Sequence, residues 1–251
     1  MATTTAPDVS APIDEAGGAP IHETEPLLGR PGDASQTRRQ PFIYNLTLGT
    51  GFIAQLASVL LTIVIWASVF TKPLILFSGH PLAQSLAVLV LIQSILALQP
   101  THTRDQKRIG QKVHATLNLA AFLLLVTGVG VIEYNKYRSK GEHFHSVHGY
   151  LGVTTSIVLL IQYLVGLTMY AVPSLYGGRA NAMAIWKYHR ASGYVILVLL
   201  LVTVCSATRT EYVENVLKIQ LWAPVLLSVL VLAGVLPRIQ KHKFGGKITT
   251  S

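Results

Sequence analysis

The stretch PFIYNLTLGTGFIAQLASVLLTIVIWASVFT, residues 41–71, contains no Asp, Glu, Lys or Arg. A second uncharged stretch, residues 73–103, follows almost at once. A helix on the surface of a soluble protein needs a polar face toward water, and neither stretch is built to provide one. A membrane helix needs about 20 apolar residues to cross roughly 30 Å of hydrocarbon. Both stretches therefore indicate helices that span a membrane.

The composition of the whole chain agrees with a membrane protein. Of its 251 residues, 51% are hydrophobic and 12% are charged, whereas soluble domains carry about 25% charged residues. This excludes a soluble enzyme. The net charge of +9 is the basic excess that cytoplasmic loops of membrane proteins carry, so we expect no nucleic-acid partner. The single cysteine, Cys205, excludes an intrachain disulfide, and the lack of a C-x-x-C-H motif excludes a covalently bound c-type haem.

Six apolar segments approach or reach the length of a membrane span. They cover residues 46–70, 82–98, 113–132, 149–172, 191–208 and 219–236. The second, fifth and sixth are short, so we expect them to extend into their flanks. Short connections favour antiparallel neighbours in a bundle. We predict an all-α membrane protein with six transmembrane helices over residues 41–245, a disordered cytoplasmic tail over residues 1–40, and a cytoplasmic end over residues 246–251.

The distribution of Lys and Arg predicts that both termini are cytoplasmic. With the N-terminus inside, the cytoplasmic segments hold fourteen of these residues and the opposite segments hold six. The fourteen are Arg30, Arg38, Arg39, Arg104, Lys107, Arg108, Lys112, Arg179, Lys187, Arg190, Arg238, Lys241, Lys243 and Lys247. The six are Lys72, Lys136, Arg138, Lys140, Arg209 and Lys218. This bias follows the positive-inside rule.

Four histidines, one on each of the four middle spans, carry the chemistry. His80, His114, His148 and His189 head the second to fifth spans in turn. Because successive helices run in opposite directions, His80 and His148 fall at the outer face and His114 and His189 at the cytoplasmic face. Two imidazoles from facing helices are suitable axial ligands for one haem iron. The four residues therefore predict two haems, with their irons about 20 Å apart along the membrane normal, in a four-helix core made by helices 2–5.

Small and amide residues follow each histidine at the same interval. Gly152 and Gly193 lie four residues after His148 and His189, on the same helix face. They either leave room for a flat macrocycle or serve ordinary helix packing. Gln84 and Asn118 hold the matching places on the other two helices, where they bind a haem propionate or a neighbouring helix.

The absence of carboxylates from the spans favours electron transfer over transport. Glu133 lies only at the end of a span, and a histidine-based transporter is expected to place carboxylates beside its histidines. Two rival hypotheses remain open. One is a cytochrome b subunit that anchors a soluble protein partner, and the other is a haem-free metal transporter.

Several motifs resemble the cytochrome b561 family, most closely its stand-alone b561 domain-containing branch. They read FSGHP, KVHATLN, HFHSVHGYLG and WKYHRASGY, and the resemblance covers about residues 45–245. It implies two b haems, held by His80 with His148 and by His114 with His189. It also implies electron transfer from cytosolic ascorbate to ferric iron or monodehydroascorbate across the membrane, and a homodimer. The segment LALQPTHTRDQKRIGQK after the second span lacks the aliphatic-and-arginine run of better-studied members.

Charged residues near each histidine pair are candidates for substrate binding. Arg108, Lys112, Lys187 and Arg190 lie at the cytoplasmic face, where they attract anionic ascorbate or contact lipid phosphates. Lys140, His143 and His145 form a short outer loop that is a candidate acceptor site. Alternatively, the loop histidines bind a metal directly or are solvated without a role.

Two short motifs bear on location and modification. The segment ETEPLL, Glu23 to Leu28, fits an acidic dileucine sorting signal and favours an endomembrane over the plasma membrane. Asn45 begins an N-x-T glycosylation motif, but it lies at the predicted cytoplasmic mouth of the first span, so we expect no glycan there.

Overall fold

The computed structural model of the protein describes residues 34–37 and 39–240. This part of the chain contains six α-helices and no strand. The helices are α1 (Gly51–Phe70), α2 (Gly79–Leu98), α3 (Arg104–Ser139), α4 (Val147–Ala171), α5 (Arg179–Ser206) and α6 (Trp222–Val235). Single 3-10 turns and one π-helical turn, Tyr212–Leu217, connect or extend them.

The predicted all-α membrane fold is confirmed, with one helix shorter than expected. The first five helices are long and apolar enough to cross a membrane. The sixth apolar helix, Trp222–Arg238 including a final 3-10 turn, is shorter. It does not extend toward its N-terminal side because the preceding π-helical turn ends at Lys218, whose φ of 56° breaks the helical path.

Helices α3 and α5 begin well before the apolar segments that predicted them. Thr103 and Gln106 form a capping box at the start of α3, with Thr103 Oγ1 accepting from the Gln106 amide. Gly177 and Gly178 adopt positive φ just before α5. The 36 residues of α3 span about 54 Å, more than the hydrocarbon thickness. The basic residues predicted in cytoplasmic loops are therefore largely helical.

The helices pack as two hairpins beside a third pair. Helix α2 packs along α3 and α4 packs along α5, while α1 packs against both α6 and α2. Contact between α3 and α4 is sparse. The buried apolar core lies among α1, α2, α5 and α6 and includes Ile92, Leu96, Leu201 and Val231. The four middle helices thus form two hairpins that face each other, flanked by α1 and α6 as predicted.

The end of the predicted disordered tail is packed where the structure describes it. Gln36 is 6% exposed, and its backbone nitrogen donates to the Pro100 carbonyl at 3.1 Å. Its own carbonyl accepts from Gln106 Nε2 at 3.1 Å. Residues 34–37 therefore belong to the folded domain, whereas residues 1–33, including the dileucine motif, and the predicted C-terminal end lie outside the described residues.

Candidate haem-binding site

The structure brings His80 and His148 together. Their ring centroids are 6.2 Å apart and their planes cross at 82°. His80 Nδ1 lies 2.9 Å from the Gly128 carbonyl of α3, and His148 Nδ1 lies 2.9 Å from the Thr203 carbonyl of α5. Because a carbonyl only accepts, each Nδ1 carries the hydrogen, and each Nε2 keeps a free lone pair.

This arrangement fits two ligands of one metal ion. A metal–imidazole bond is about 2 Å long and the ring centroid lies about 1 Å beyond the nitrogen, so two imidazoles on opposite sides of one ion place their centroids about 6 Å apart. The observed separation is 6.2 Å. A histidine that binds a metal usually donates its other ring N–H to a carbonyl, a carboxylate or water, as both Nδ1 atoms do here. The residues present therefore fit a haem iron, which His80 and His148 would hold through their Nε2 atoms.

His114 and His189 are the predicted second pair, and the structure gives each ring different surroundings. His114 Nδ1 lies 2.7 Å from Ser94 Oγ of α2. The His189 ring packs against Gly166 of α4, where a Cβ atom would lie 2.8 Å from its Cε1. His189 Nδ1 is buried and has no hydrogen-bond partner among the described residues.

The two hairpins repeat one plan. On α3 the chain runs from His114 to Gly128, and on α5 it runs over an equal interval from His189 to Thr203. Since the carbonyls of Gly128 and Thr203 hold His80 and His148, each interval measures the distance between the predicted inner and outer histidine levels. That distance is about 21 Å along either helix, or about four helical turns.

The returning helices keep the same interval. On α2, Ser94 lies as many residues after His80 as Gly128 lies after His114 on α3. On α4, Gln162 lies at the same interval after His148. Each returning helix therefore carries a polar side chain at the inner level. The spacing thus places two histidine levels at matching depths in both hairpins.

Four residues after each histidine lies a residue that was predicted either to face the haem or to pack against a neighbouring helix, and the structure shows both situations. The position of a Cβ at Gly152 meets nothing within 4 Å among the described residues, so this glycine leaves open space beside His148. Gly193 instead faces Gln162 Nε2, at 3.3 Å from a built Cβ. Gln84 donates to the Leu125 carbonyl at 3.1 Å, and Asn118 donates to Ser94 Oγ at 2.5 Å. Gln84 and Asn118 thus bind neighbouring helices, and Gly193 serves helix packing.

The four predicted donor-side residues lie on two helices. Arg108 and Lys112 are exposed on the first turns of α3, four residues apart and so on one face. On α5, Lys187 is exposed, with its Nζ 5.0 Å from the Tyr188 ring centroid, and Arg190 is half-buried. All four lie within six residues of His114 or His189. Their role in binding a substrate stays a prediction.

The loop between α3 and α4, which holds the predicted acceptor-side residues, is largely exposed. Lys140 ends α3 with a φ of 51°. His143 Nδ1 lies 3.5 Å from Glu133 Oε2, and His145 Nδ1 lies 3.0 Å from the Glu142 carbonyl. Within the described residues no three His, Cys, Asp or Glu side chains come together as a metal site. The loop therefore offers separate polar groups, and its role in binding an acceptor stays a prediction.

The anchors of the histidines were missed by sequence reasoning. Ser94, Thr203 and Gly166 carry no charge and match no motif, and Gly128 and Thr203 act through backbone carbonyls that any residue supplies. One feature of the sequence could have located these anchors. On each of the four helices, the same number of residues separates the histidine from the residue that lies beside the other histidine pair.

Comparison with known proteins identifies the family. The family model described as eukaryotic cytochrome b561 matches residues 79–214, which is more than half of the chain and includes all four histidines. The plasma membrane ascorbate-dependent reductase CYBRD1 of Mus musculus is 31% identical over 189 residues, covering 67% of this chain and 62% of the relative. Transmembrane ascorbate ferrireductase 2 of Arabidopsis thaliana is 29% identical over 130 residues, covering 51% and 54%.

A third relative matches a shorter part of the chain. The lysosomal membrane ascorbate-dependent ferrireductase CYB561A3 of Bos taurus is 28% identical over 106 residues, covering 40% of this chain and 38% of the relative. The chain thus spans about two fifths to three fifths of the length of these relatives. With the family match over α2 to α5, these similarities show that the chain belongs to the cytochrome b561 family.

Proposed function

We propose that the protein carries electrons across a membrane through two b haems, one held by His80 and His148 and the other by His114 and His189. The observation that carries the proposal is the separation of 6.2 Å between the His80 and His148 rings, each with Nδ1 anchored and Nε2 free. We further propose cytosolic ascorbate as donor and ferric iron or monodehydroascorbate as acceptor, because three similar proteins are named as ascorbate-dependent reductases or ferrireductases.

The residues of the chain determine how such groups are held. A bound haem supplies one-electron chemistry. The Nε2 atoms of His80 and His148 would hold the haem iron from two helices, while the Gly128 and Thr203 carbonyls keep both rings from turning. A haem iron held by both histidines of a pair would have no protein-side position left for oxygen, which favours electron transfer over oxygen chemistry.

The two ends of the bundle serve different substrates in this proposal. Arg108, Lys112, Lys187 and Arg190 attract an anionic reductant to the cytoplasmic end. At the other end, Lys140, His143 and His145 hold the acceptor in the exposed loop. A homodimer, cytoplasmic termini and an endomembrane location belong to the same proposal.

The test is transmembrane reduction in liposomes. Purified protein is reconstituted in vesicles loaded with ascorbate, a ferric chelate is added outside, and ferrous iron is measured with a colorimetric chelator. We expect a rate above that of protein-free vesicles, lost in His80→Ala and His114→Ala and kept in the exposed-surface variant Arg138→Ala. A haem-loaded protein that ascorbate reduces but that passes no electron to the external chelate would contradict the proposed acceptor side. A haem-loaded protein that ascorbate does not reduce would contradict the proposed donor.

A further inference from the structure

The two inner histidines are held differently although their hairpins follow one plan. Ser94 on α2 and Gln162 on α4 occupy equivalent places, at the same interval after an outer histidine. Gln162 Nε2 donates to the backbone carbonyl of His189 at 2.7 Å and forms no hydrogen bond with the His189 ring. Ser94 Oγ lies 2.7 Å from the His114 ring itself. Of these two equivalent side chains, Ser94 is the one that forms a hydrogen bond with an imidazole ring.

The hydrogen bonds around Ser94 determine which nitrogen of His114 carries its hydrogen. Asn118 Nδ2 donates to Ser94 Oγ at 2.5 Å, and Ser94 Oγ can donate to the His114 carbonyl at 3.3 Å. With its hydrogen directed to that carbonyl, the Ser94 hydroxyl can only accept from His114 Nδ1. The Ser94 carbonyl, 3.3 Å from the same Nδ1, also only accepts. These two acceptors favour the tautomer with the hydrogen on Nδ1, which leaves Nε2 free to bind a metal.

The site is sealed, which makes the hydroxyl costly to replace. Ser94 is 0% exposed, so water does not substitute for its Oγ atom. By contrast, the outer histidines are anchored by the backbone carbonyls of Gly128 and Thr203, which no substitution removes. His114 differs because its shortest ring hydrogen bond, at 2.7 Å, is to a side-chain hydroxyl, whereas the Ser94 carbonyl lies farther away at 3.3 Å.

We propose that Ser94, supported by Asn118, is a positioning residue that fixes the His114 tautomer and ring orientation and thereby sets the redox potential of the inner haem alone. This inference rests on the proposed haem function. A hydrogen bond accepted from Nδ1–H makes the imidazole a stronger donor to iron. A stronger donor favours ferric iron, so loss of the Ser94 hydroxyl raises the potential of the inner haem.

The experiment is a redox titration of the purified holoprotein with electron paramagnetic resonance of each ferric haem. Ser94→Ala is expected to raise one midpoint potential and shift one low-spin signal, the one lost in His114→Ala, and to leave the other unchanged. Ser206→Ala is the matched control. Ser206 Oγ lies 3.4 Å from His148 Nδ1, but the Thr203 carbonyl holds that nitrogen at 2.9 Å, so neither haem should change. Ser94→Thr retains the hydroxyl and should restore the wild-type values.

The outcomes separate this inference from the proposed function. Two haems with unaltered potentials and signals in Ser94→Ala would overturn the inference and leave the proposed function intact, whereas a folded wild-type protein without haem would overturn both. Equal disturbance by Ser94→Ala and Ser94→Thr would show that volume matters and would also overturn the inference. Nitrogen-15 chemical shifts of the His114 ring give a readout that does not depend on activity. We expect Nδ1–H in the wild-type protein, and an Nε2–H tautomer would refute the assignment.

Discussion

Gly166 tests how the inner histidine His189 is placed. A Cβ atom added at Gly166 would lie 2.8 Å from His189 Cε1 and 3.3 Å from Nε2. Ordinary carbon contacts lie at about 3.5–4.0 Å. In Gly166→Ala the ring must therefore retreat by about 1 Å, which is more than the roughly 0.5 Å tolerance of a preorganised ligand site. Because α4 and α5 pack closely here, the retreat carries Nε2 away from its bonding position.

We expect Gly166→Ala to lower the haem content from two per chain toward one, with loss of the haem that His114→Ala also loses. Haem per chain is measured by the pyridine haemochrome method, and the remaining haem is identified by electron paramagnetic resonance. Helical stability points the other way, since alanine is favoured over glycine in a helix by about 1 kcal/mol. A loss of haem without a loss of helicity would therefore isolate the displaced ring.

The matched control is Gly130→Ala on α3. A Cβ at Gly130 meets no atom within 4 Å in the described part of the chain, so both haems should be kept. Two haems per chain with unchanged signals in Gly166→Ala would refute the reasoning, because they would show that His189 is not held by contact with Gly166.

Three further predictions concern pairing, stability and modification. His80→Ala and His148→Ala should lose the same haem, and loss of different haems, seen by electron paramagnetic resonance, would contradict the pairing. Arg238→Met should lower the midpoint of thermal unfolding, because the Arg238 side chain donates to the carbonyls of Asn45 at 2.7 Å and Leu96 at 3.2 Å and each carbonyl left unpaired costs about 1–3 kcal/mol. Unchanged stability would contradict this role. Asn45 is 1% exposed and donates to the Ala97 carbonyl, so mass spectrometry should find no glycan on it.

The sequence predicted the membrane helices and the histidines because both leave strong local signals. Long uncharged stretches and isolated histidines at their edges are visible without any tertiary information. The alternation of helix direction predicted that His80 and His148 lie at one level of the bundle. In the structure their ring centroids are 6.2 Å apart.

What the sequence could not show is the second layer of contacts. Thr203 holds His148 through a carbonyl, which the side chain does not reveal, and Gly166 acts through the absence of a Cβ atom. Arg238 was predicted as one of the cytoplasmic charges, and in the structure its side chain is buried, at 3% exposed. It donates to the Leu96 carbonyl near the end of α2. That carbonyl has no donor within the helix because residue 100 is proline, which lacks an N–H. Helix ends also escaped prediction, since a capping box at Thr103 extends α3 beyond its apolar segment.

The measurement that tests the central claim most directly is the absorption spectrum of the detergent-purified protein, with haem quantified per chain, before and after addition of ascorbate. The account predicts two low-spin b haems per chain, both reduced by ascorbate. A folded protein expressed with adequate haem supply that contains no haem would contradict it.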